Sequence, residues 1–512
     1  MLTADWEMPS SSPARVKFSC RAATSNTRSA FKFGIFRRII PKPPALDEFF
    51  EFARFFLICQ LERRRSQMAQ LFPFTDPLAA QEKSPLEIVR GDGCTVIDAQ
   101  GQTYLDAVAG LWCASLGFTN ARLTAAAQQQ FETLGYYHSF MGRTPAIANR
   151  LSEKLAALLP DPLTHVLYGC SGSDAVETAA KLVRYYQNAR GLSDKKRIIA
   201  REGAYHGSGN VSAALTAMSY CHDGFDTPAS QVLRTGRPHY LRDAEPGETE
   251  IAFAKRRARE LNALIEREDA GTIGAFIGEP AMGAGGVLLP PEGYWAEIQN
   301  VLARHDILLI ADEIITGFGR TGRWFGCQSF GIEPDMMTMA KQLSASFFPI
   351  SAVAMSQKVH DTIARQAHDL GLFGHGFTYG GHPVGAAVAL ETLAIYEEMD
   401  LEQHVGRLSD MLAERLSGLR THPLVAEIRV KGLLAAVELG PKGTEDGLGT
   451  RVTEEAAARG VFFRSIGNVI AISPAYTISG AELDQIATTL AEAVEATYRG
   501  QTKQPEKEAA QP

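Results

Sequence analysis

The segment ILLIADE (307–313) carries a carboxylate, Asp312, to the end of an apolar run. Such a run reads as a strand buried on both faces. An ionised carboxylate at its tip is costly unless a cation or hydrogen-bond donors meet it. Asp312 therefore either caps the next turn or faces a bound cationic ring nitrogen. Downstream, MAKQLSASFFPIS (339–351) holds one lysine, Lys341, with Met336, Met337, Met339 and Ala340 before it and no acid between Asp335 and Asp361. A surface lysine is the plainer reading; a desolvated one has a lowered pKa and attacks carbonyl carbons. Upstream, CSGSDAVETAAKLV (170–183) leads from the apolar run VLYG (166–169) into a helical pattern from Asp174 to Tyr186. It allows simple N-capping by Ser173, with Glu177 nearby. It also allows a phosphate cup of Gly172, Ser173 and Asp174 main-chain groups plus the Ser173 hydroxyl, at the positive end of a helix. GAYHGS (203–208) places Tyr205 in a Gly-rich turn, either as a packed loop residue or as a plate for a planar ring. HGFTYGGHP (375–383) offers Thr378, able to donate to a phosphate oxygen. His375 and His382 lie seven apart without matching carboxylates, so no metal site is expected.

Each feature alone is weak. Together they supply an imine-forming lysine, an acid for a pyridinium nitrogen, a stacking ring and an anion site, the set that pyridoxal 5′-phosphate (PLP) requires. One motif points elsewhere. GFGRTG (317–322) matches the GxGxxG dinucleotide fingerprint, which would make the chain a nicotinamide-dependent oxidoreductase. It comes six residues after its strand, and RWFGCQSFGI behind it is not expected to start a helix, so this reading is set aside.

The elements that must position these groups run from about 85 to 499. GAFIGEP (274–280) and ILLIADE read as buried strands, each preceded by a helical stretch. Apolar runs alternating with helices imply an α/β fold with a mostly parallel sheet covered by helices. Ligands of such sheets sit at the carboxyl ends of the strands. After Pro383 comes an Ala-rich helix over 386–398. EIRVKGLLAAVEL (427–439) reads as a hairpin with half-buried alternation. The last helix opens on a capping box, Ser479 to Glu482, carries Leu483, Ile486, Leu490 and Val494 on one face, and is expected to stop at Gly500.

Composition narrows the field. Apolar residues make up 45% and charged residues 21% of the 512, which excludes wholesale disorder, collagen and coiled coil. A net charge of −7 argues against nucleic-acid binding. Seven cysteines without a CxxC pair suggest neither a zinc ribbon nor a disulfide scaffold, and point to a reduced, intracellular compartment. No run reaches the roughly 18 apolar residues of a membrane span; FFEFARFFLICQL (49–61) is short and carries Glu51 and Arg54. Residues 1–67 hold 12 basic and 6 acidic side chains, against 39 and 52 in the remainder. Their acids weigh against a transit peptide. An extension that is disordered or not native, with Met68 as the natural start, is the expectation.

The order and spacing of GLWCASLG, CSGSD, AYHGS, GEPAMGAGGV, ADEIITGFGRTGRWFG, AKQLS and HGFTYGGHP resemble the class III aminotransferases, within fold type I of PLP enzymes, over about 85–499. Lys341 follows Asp312 by 29 residues, as is usual in that family. GLWC, SFMGRT and PHYLRDAEPGETE (238–250) are similar to its ω-amino-acid and amine:pyruvate branch. The resemblance implies a large PLP-binding domain over 116–385 and a smaller α+β domain from 68–115 plus 386–499, with 500–512 as a tail. It implies Lys341 as Schiff-base lysine and proton carrier, Asp312 at the pyridine nitrogen, and Tyr205 and Ile314 on the two ring faces. Gly172 and Ser173 would bind the phosphate, with Thr378 reaching it from a partner subunit, and Glu279 would orient groups beside the cofactor. Trp112, Tyr137, Phe140 and Tyr220 match pocket-lining positions. Arg464 matches a mobile arginine that binds the carboxylate of pyruvate and swings away for an uncharged amine, a task suited to its planar fork. Two positions depart from the family: Gln342 and Ser346 stand where glycines are usual. The expected activity is ping-pong transfer of an amino group from a primary amine or ω-amino acid to pyruvate, giving alanine, by a cytoplasmic homodimer or dimer of dimers; a transit role for 1–67 would move it to mitochondria. A PLP-dependent decarboxylase or aminomutase is the rival.

Overall fold

The computed structural model describes residues 70–82, 85–440 and 447–502. The extension expected over 1–67 and most of the expected tail lie outside them. Residues 1–86 form a unit of their own, in which the described part holds one short helix, Pro77–Glu82.

The strands of the second unit are β1 (Ile88–Asp92), β2 (Thr95–Asp98), β3 (Thr103–Asp106), β4 (Leu163–Gly169), β5 (Arg197–Arg201), β6 (Val232–Thr235), β7 (Ile273–Gly278), β8 (Leu308–Asp312), β9 (Met336–Met339), β10 (Ser351–Ser356), β11 (Val425–Lys431), β12 (Leu434–Leu439), β13 (Val461–Phe462), β14 (Arg464–Ile466) and β15 (Val469–Ile472). Seven of them make the central sheet, in the order β4-β10-β9-β8-β7-β5-β6. Neighbours pair in parallel except at β10, which runs antiparallel to both β4 and β9. β7 and β8 are buried along their whole length, as their unbroken apolar runs require. Their residues alternate between two cores. Phe276 and Leu309 join one; Ala275, Ile277, Leu308 and Ile310 join the other, with the helix Gly172–Ala189.

Two four-stranded sheets flank this layer, β1-β2-β3-β13 and β11-β12-β15-β14. The expected hairpin over 427–439 forms from β11 and β12. β12, however, is buried throughout rather than alternating. Ala435, Val437 and Leu439 enter the main core while Leu434 and Ala436 enter a smaller one with Trp112 and Val287, so both faces of the strand are covered.

Helix ends differ from expectation in small ways with clear causes. The helix expected from Asp174 starts at Gly172, because Ser171 rather than Ser173 is the N-cap, accepting from the Asp174 N–H at 3.2 Å. The Ala-rich helix begins earlier, at Pro383, where a missing N–H costs nothing. The Ser479–Glu482 capping box forms in both directions. That last helix runs to Thr502, past Gly500, since an internal glycine costs only about 1 kcal/mol. A five-residue helix, Gly326–Phe330, does form within RWFGCQSFGI. GFGRTG itself is a buried loop rather than a nucleotide cradle. Arg320 is fully buried, donates to the carbonyls of Leu433 and Pro474 at 3.2 and 2.6 Å, and lies 4.7 Å over the Tyr476 ring. No helix among the described residues is long and apolar enough to cross a membrane.

Candidate active site

Asp312 is the last residue of β8 and lies opposite Thr338 of β9, so strand register brings its first donor. Thr338 Oγ1 donates to Oδ1 at 3.1 Å, and the Ile314 N–H reaches the same oxygen at 3.2 Å. The other oxygen lies 2.6 Å from His206 Nδ1. His206 is buried, its Nε2 has no hydrogen-bond partner, and that atom lies 3.9 Å from Glu279 Oε2. Sequence reading passed over His206, although it adjoins Tyr205 in AYHG. Asp312 is thus buried and held by uncharged donors and an imidazole, with no lysine or arginine paired to it among the described residues. That environment accommodates a further cation.

Lys341 follows β9 and begins a single tight turn, Lys341–Ser344. Its φ is +40°, and Ala345 and Ser346 follow at +47° and +65°. Three side-chain-bearing residues in left-handed backbone within one loop store strain, each at about 1–3 kcal/mol. Ser346, at a position where the resemblance gives glycine, bears one share of it. Lys341 is half-buried. Burial pushes its pKa below the ordinary lysine value and Arg464 acts in the same direction, against the pull of Cys113 and Asp312. Gln342, the other departure, explains itself in place. Its side chain is fully buried, and its Nε2 donates to the carbonyls of Trp112 and Ile315, each at 3.0 Å, while its own carbonyl accepts from Tyr396. It ties the lysine turn both to the GLWC loop and to the turn after Asp312.

The small-residue loop is shaped by close approach. A Cβ on Gly172 would fall 2.9 Å from Ile314 Cδ1 and 3.1 Å from its Cγ2, so glycine lets the helix N-terminus sit against that side chain without displacing it. Ser173 accepts the Ser208 N–H at 3.1 Å, which draws GAYHGS onto the first turn of the helix. Gly207, at φ +124°, sits where a Cβ would fall 2.6 Å from Ser173 Oγ. Tyr205 is half-buried in an apolar cluster with Trp112, and its N–H donates to Glu279 at 3.3 Å. Glu279 is itself held by the fully buried Arg201, at 2.9 Å.

Arg464, on β14, lies 5.3 Å over the Trp112 ring. Its charge is felt by Lys341, Tyr205 and Tyr220, so these groups share one neighbourhood. Tyr220 is exposed and its hydroxyl meets Met218 Sδ. Three expected residues lie on an exposed face made by the 136–141 and 375–379 loops. Tyr137, Phe140 and Thr378 are exposed. Tyr136 donates to the Thr378 carbonyl at 3.0 Å, and Gly376 packs on Phe140. Within one chain no hydrogen bond joins this face to Lys341 or Asp312 among the described residues.

An amine of lowered pKa, a buried carboxylate with room for a cation, a half-buried aromatic ring and a glycine-tight helix N-terminus fit an aldehyde-bearing, phosphorylated pyridine. The family model described as aminotransferase class-III matches residues 78–494. The chain belongs to the class III aminotransferases. Gamma aminobutyrate transaminase 3, chloroplastic, of Solanum lycopersicum is 44% identical over 424 residues, 81% of this chain and 82% of that protein. Gamma-aminobutyrate transaminase 1, mitochondrial, of Oryza sativa is 42% identical over 435 residues, 83% of this chain and 84% of that protein. The crystal structure of the omega transaminase from Pseudomonas jessenii in complex with PMP superposes with a TM-score of 0.83 at 44% identity, covering 85% of this chain and 98% of that one. This aminotransferase therefore has the fold type I architecture and uses PLP.

Proposed function

We propose that the enzyme moves the amino group of a primary amine or ω-amino acid to pyruvate, giving alanine, in two half-reactions that share one site. The observation that carries this reading is Arg464. It is a guanidinium over an aromatic ring, in the electrostatic neighbourhood of Lys341, and has no carboxylate partner among the described residues. An arginine so placed can pair bidentately with the carboxylate of a keto acid. Moving aside for an uncharged amine costs it no internal ion pair.

When bound, PLP supplies an aldehyde carbon and a ring that draws electrons from the substrate carbon. The chain's own residues do the rest. Lys341 Nζ removes the proton from the carbon bearing the donor's nitrogen, and its lowered pKa enlarges the neutral fraction that can do so. Asp312 keeps the ring nitrogen protonated, with His206 and Thr338 fixing its two oxygens. Tyr205 and Ile314 would cover the two faces of its ring. Gly172 and Ser173 main-chain groups would hold the phosphate, joined by Thr378 of a second copy. Glu279 orients the Tyr205 loop. Trp112 and Tyr220 line the pocket, with Tyr137 and Phe140 completing it from the face that carries Thr378.

The exposed side chains of Tyr136, Tyr137, Phe140, Met141 and Tyr379 support a homodimer whose sites are shared. The reading also includes the division into a 116–385 domain and a smaller one from 68–115 plus 386–499. It places the enzyme in the cytoplasm, from the acids in 1–67; the plastid and mitochondrial names of the plant relatives make the mass of the chain isolated from its cell the deciding observation. The activity test is a panel of amines and ω-amino acids, γ-aminobutyrate among them, each with pyruvate and the PLP-loaded enzyme. Alanine formed in step with loss of donor is expected. Carbon dioxide released without alanine would make the enzyme a decarboxylase instead.

A further inference from the structure

Glu438 is a carboxylate with only 3% exposure, on a strand that contributes nothing directly to the site described above. It lies opposite Glu427 in the β11–β12 ladder, a like-charge pair that by itself repels. Arg429, two residues along from Glu427, resolves the conflict. Its Nη1 donates to Glu438 at 2.5 Å and also to Glu427. Two groups from a distant segment complete the cluster. Arg242 Nε donates to Glu438 Oε1 at 2.5 Å, and His239 Nε2 lies 3.1 Å from Oε2. His239, Glu427 and Glu438 hold ligand-type atoms within 4.8 Å of one another. Both carboxylates already bond arginine, so the chain supplies the positive charge that a metal would bring.

The cluster has a third anchor. The remaining donors of Arg429 reach the carbonyls of Val287 and Gly286, at 2.9 and 2.8 Å. Those carbonyls end the loop that Glu279 begins, and Glu279 holds the Tyr205 N–H. On the other side, β12 pairs with β15 and β15 with β14. The ladder Ala436, Ala471, Arg464 runs two residues from the ladder Glu438, Val469, Ile466. Thus a buried charge cluster joins the loop beside the cofactor position to the sheet that bears Arg464. Between them lies an apolar seam of Val287, Leu434, Ala436, Val469, Ala471 and Trp112. Apolar contacts set distance but tolerate sliding; directed charge-assisted bonds at the seam's edge fix register.

We infer that Glu438 is a positioning residue for the carboxylate of the amino acceptor, bolting the sheet that carries Arg464 to the 279–287 loop. The inference rests on Arg464 as the carboxylate-binding group.

The test uses PLP-loaded enzyme with Glu438→Gln, which keeps the shape and removes the charge. KM and kcat are measured with pyruvate and with benzaldehyde, an acceptor without a carboxylate, against one amine donor. KM for pyruvate is expected to rise about tenfold or more while kcat/KM for benzaldehyde stays within about twofold. Arg242→Gln, at the more exposed edge of the cluster, should give the same split at about a third of the size, and serves if Glu438→Gln does not fold. Equal losses with both acceptors would overturn the inference, leaving the cluster a stability element. Arg464→Ala separates the two readings. If it also fails to split the acceptors, the role of Arg464 is wrong; if it splits them and neither cluster variant does, the positioning role alone is wrong.

Discussion

Asp312 and Thr338 meet because β8 and β9 are neighbours in register, and Lys341 follows three residues after Thr338. In the central sheet the reactive groups are therefore placed by backbone pairing, over short chain distances. The C-terminal sheet works differently. Arg464 stands on a three-residue strand, and its sheet is joined to the rest by apolar packing together with a charge cluster drawn from residues 239–242, 286–287 and 427–438. The contrast teaches a division of labour. Asp312 sits on a rigid ladder and Lys341 just beyond one, whereas Arg464, proposed to meet a keto acid and to yield to an amine, sits on a sheet that long-range charge-assisted bonds also anchor.

Variants can break or sharpen that contrast. Lys341→Ala removes the only amine in the lysine turn and should cut transamination about 10³-fold or more, read as alanine formed; activity within tenfold of wild type would put the proton carrier elsewhere. Asp312→Asn keeps the ladder and the contact from Thr338 but loses the charge, worth about 1.5–3 kcal/mol, so kcat should fall about 10- to 150-fold with both pyruvate and benzaldehyde. Acceptor-dependent loss there would blur the distinction between the two sheets. Gln342→Gly leaves the Trp112 and Ile315 carbonyls without their buried donor. Unfolding free energy should drop by about 2–4 kcal/mol, measured by denaturant titration, and no change would mean that water replaces the amide.

The smallest effect concerns pH. Burial pushes the Glu438 carboxyl up, but the His239 hydrogen bond and the Arg429 charge pull it further down, so its pKa lies below the ordinary 4.5. A depressed carboxyl pKa adds stability that is present above the unfolded value and fades as pH falls toward the folded one. The stability difference between wild type and Glu438→Gln should thus shrink steadily below pH 4.5, and a constant difference there would show that the charge is not what matters.

The chemical core was legible because each group announces itself locally. An acid ends an apolar run, a lysine stands among methionines, and small residues precede a helix. The buried strands, the hairpin and the final capping box were legible for the same reason. The supporting contacts were not. His206 looks like any loop histidine until Asp312 is placed beside it, and Ser173, the cap expected from sequence, gives way to Ser171 only once the backbone geometry is known. Gln342 reads only as a lost glycine, since its two acceptors lie 230 and 27 residues away. The roles proposed for Tyr137, Phe140 and Thr378 would need a second copy of the chain, which one sequence's periodicity does not describe.

The central claim is that Lys341 is the amine that meets the aldehyde of PLP. Borohydride reduction of the PLP-loaded enzyme, followed by peptide mass mapping, tests it most directly. A phosphopyridoxyl group on Lys341, absent from Lys341→Ala, is the predicted result; a group fixed on another lysine in wild type, with Lys341 unmodified, would contradict it.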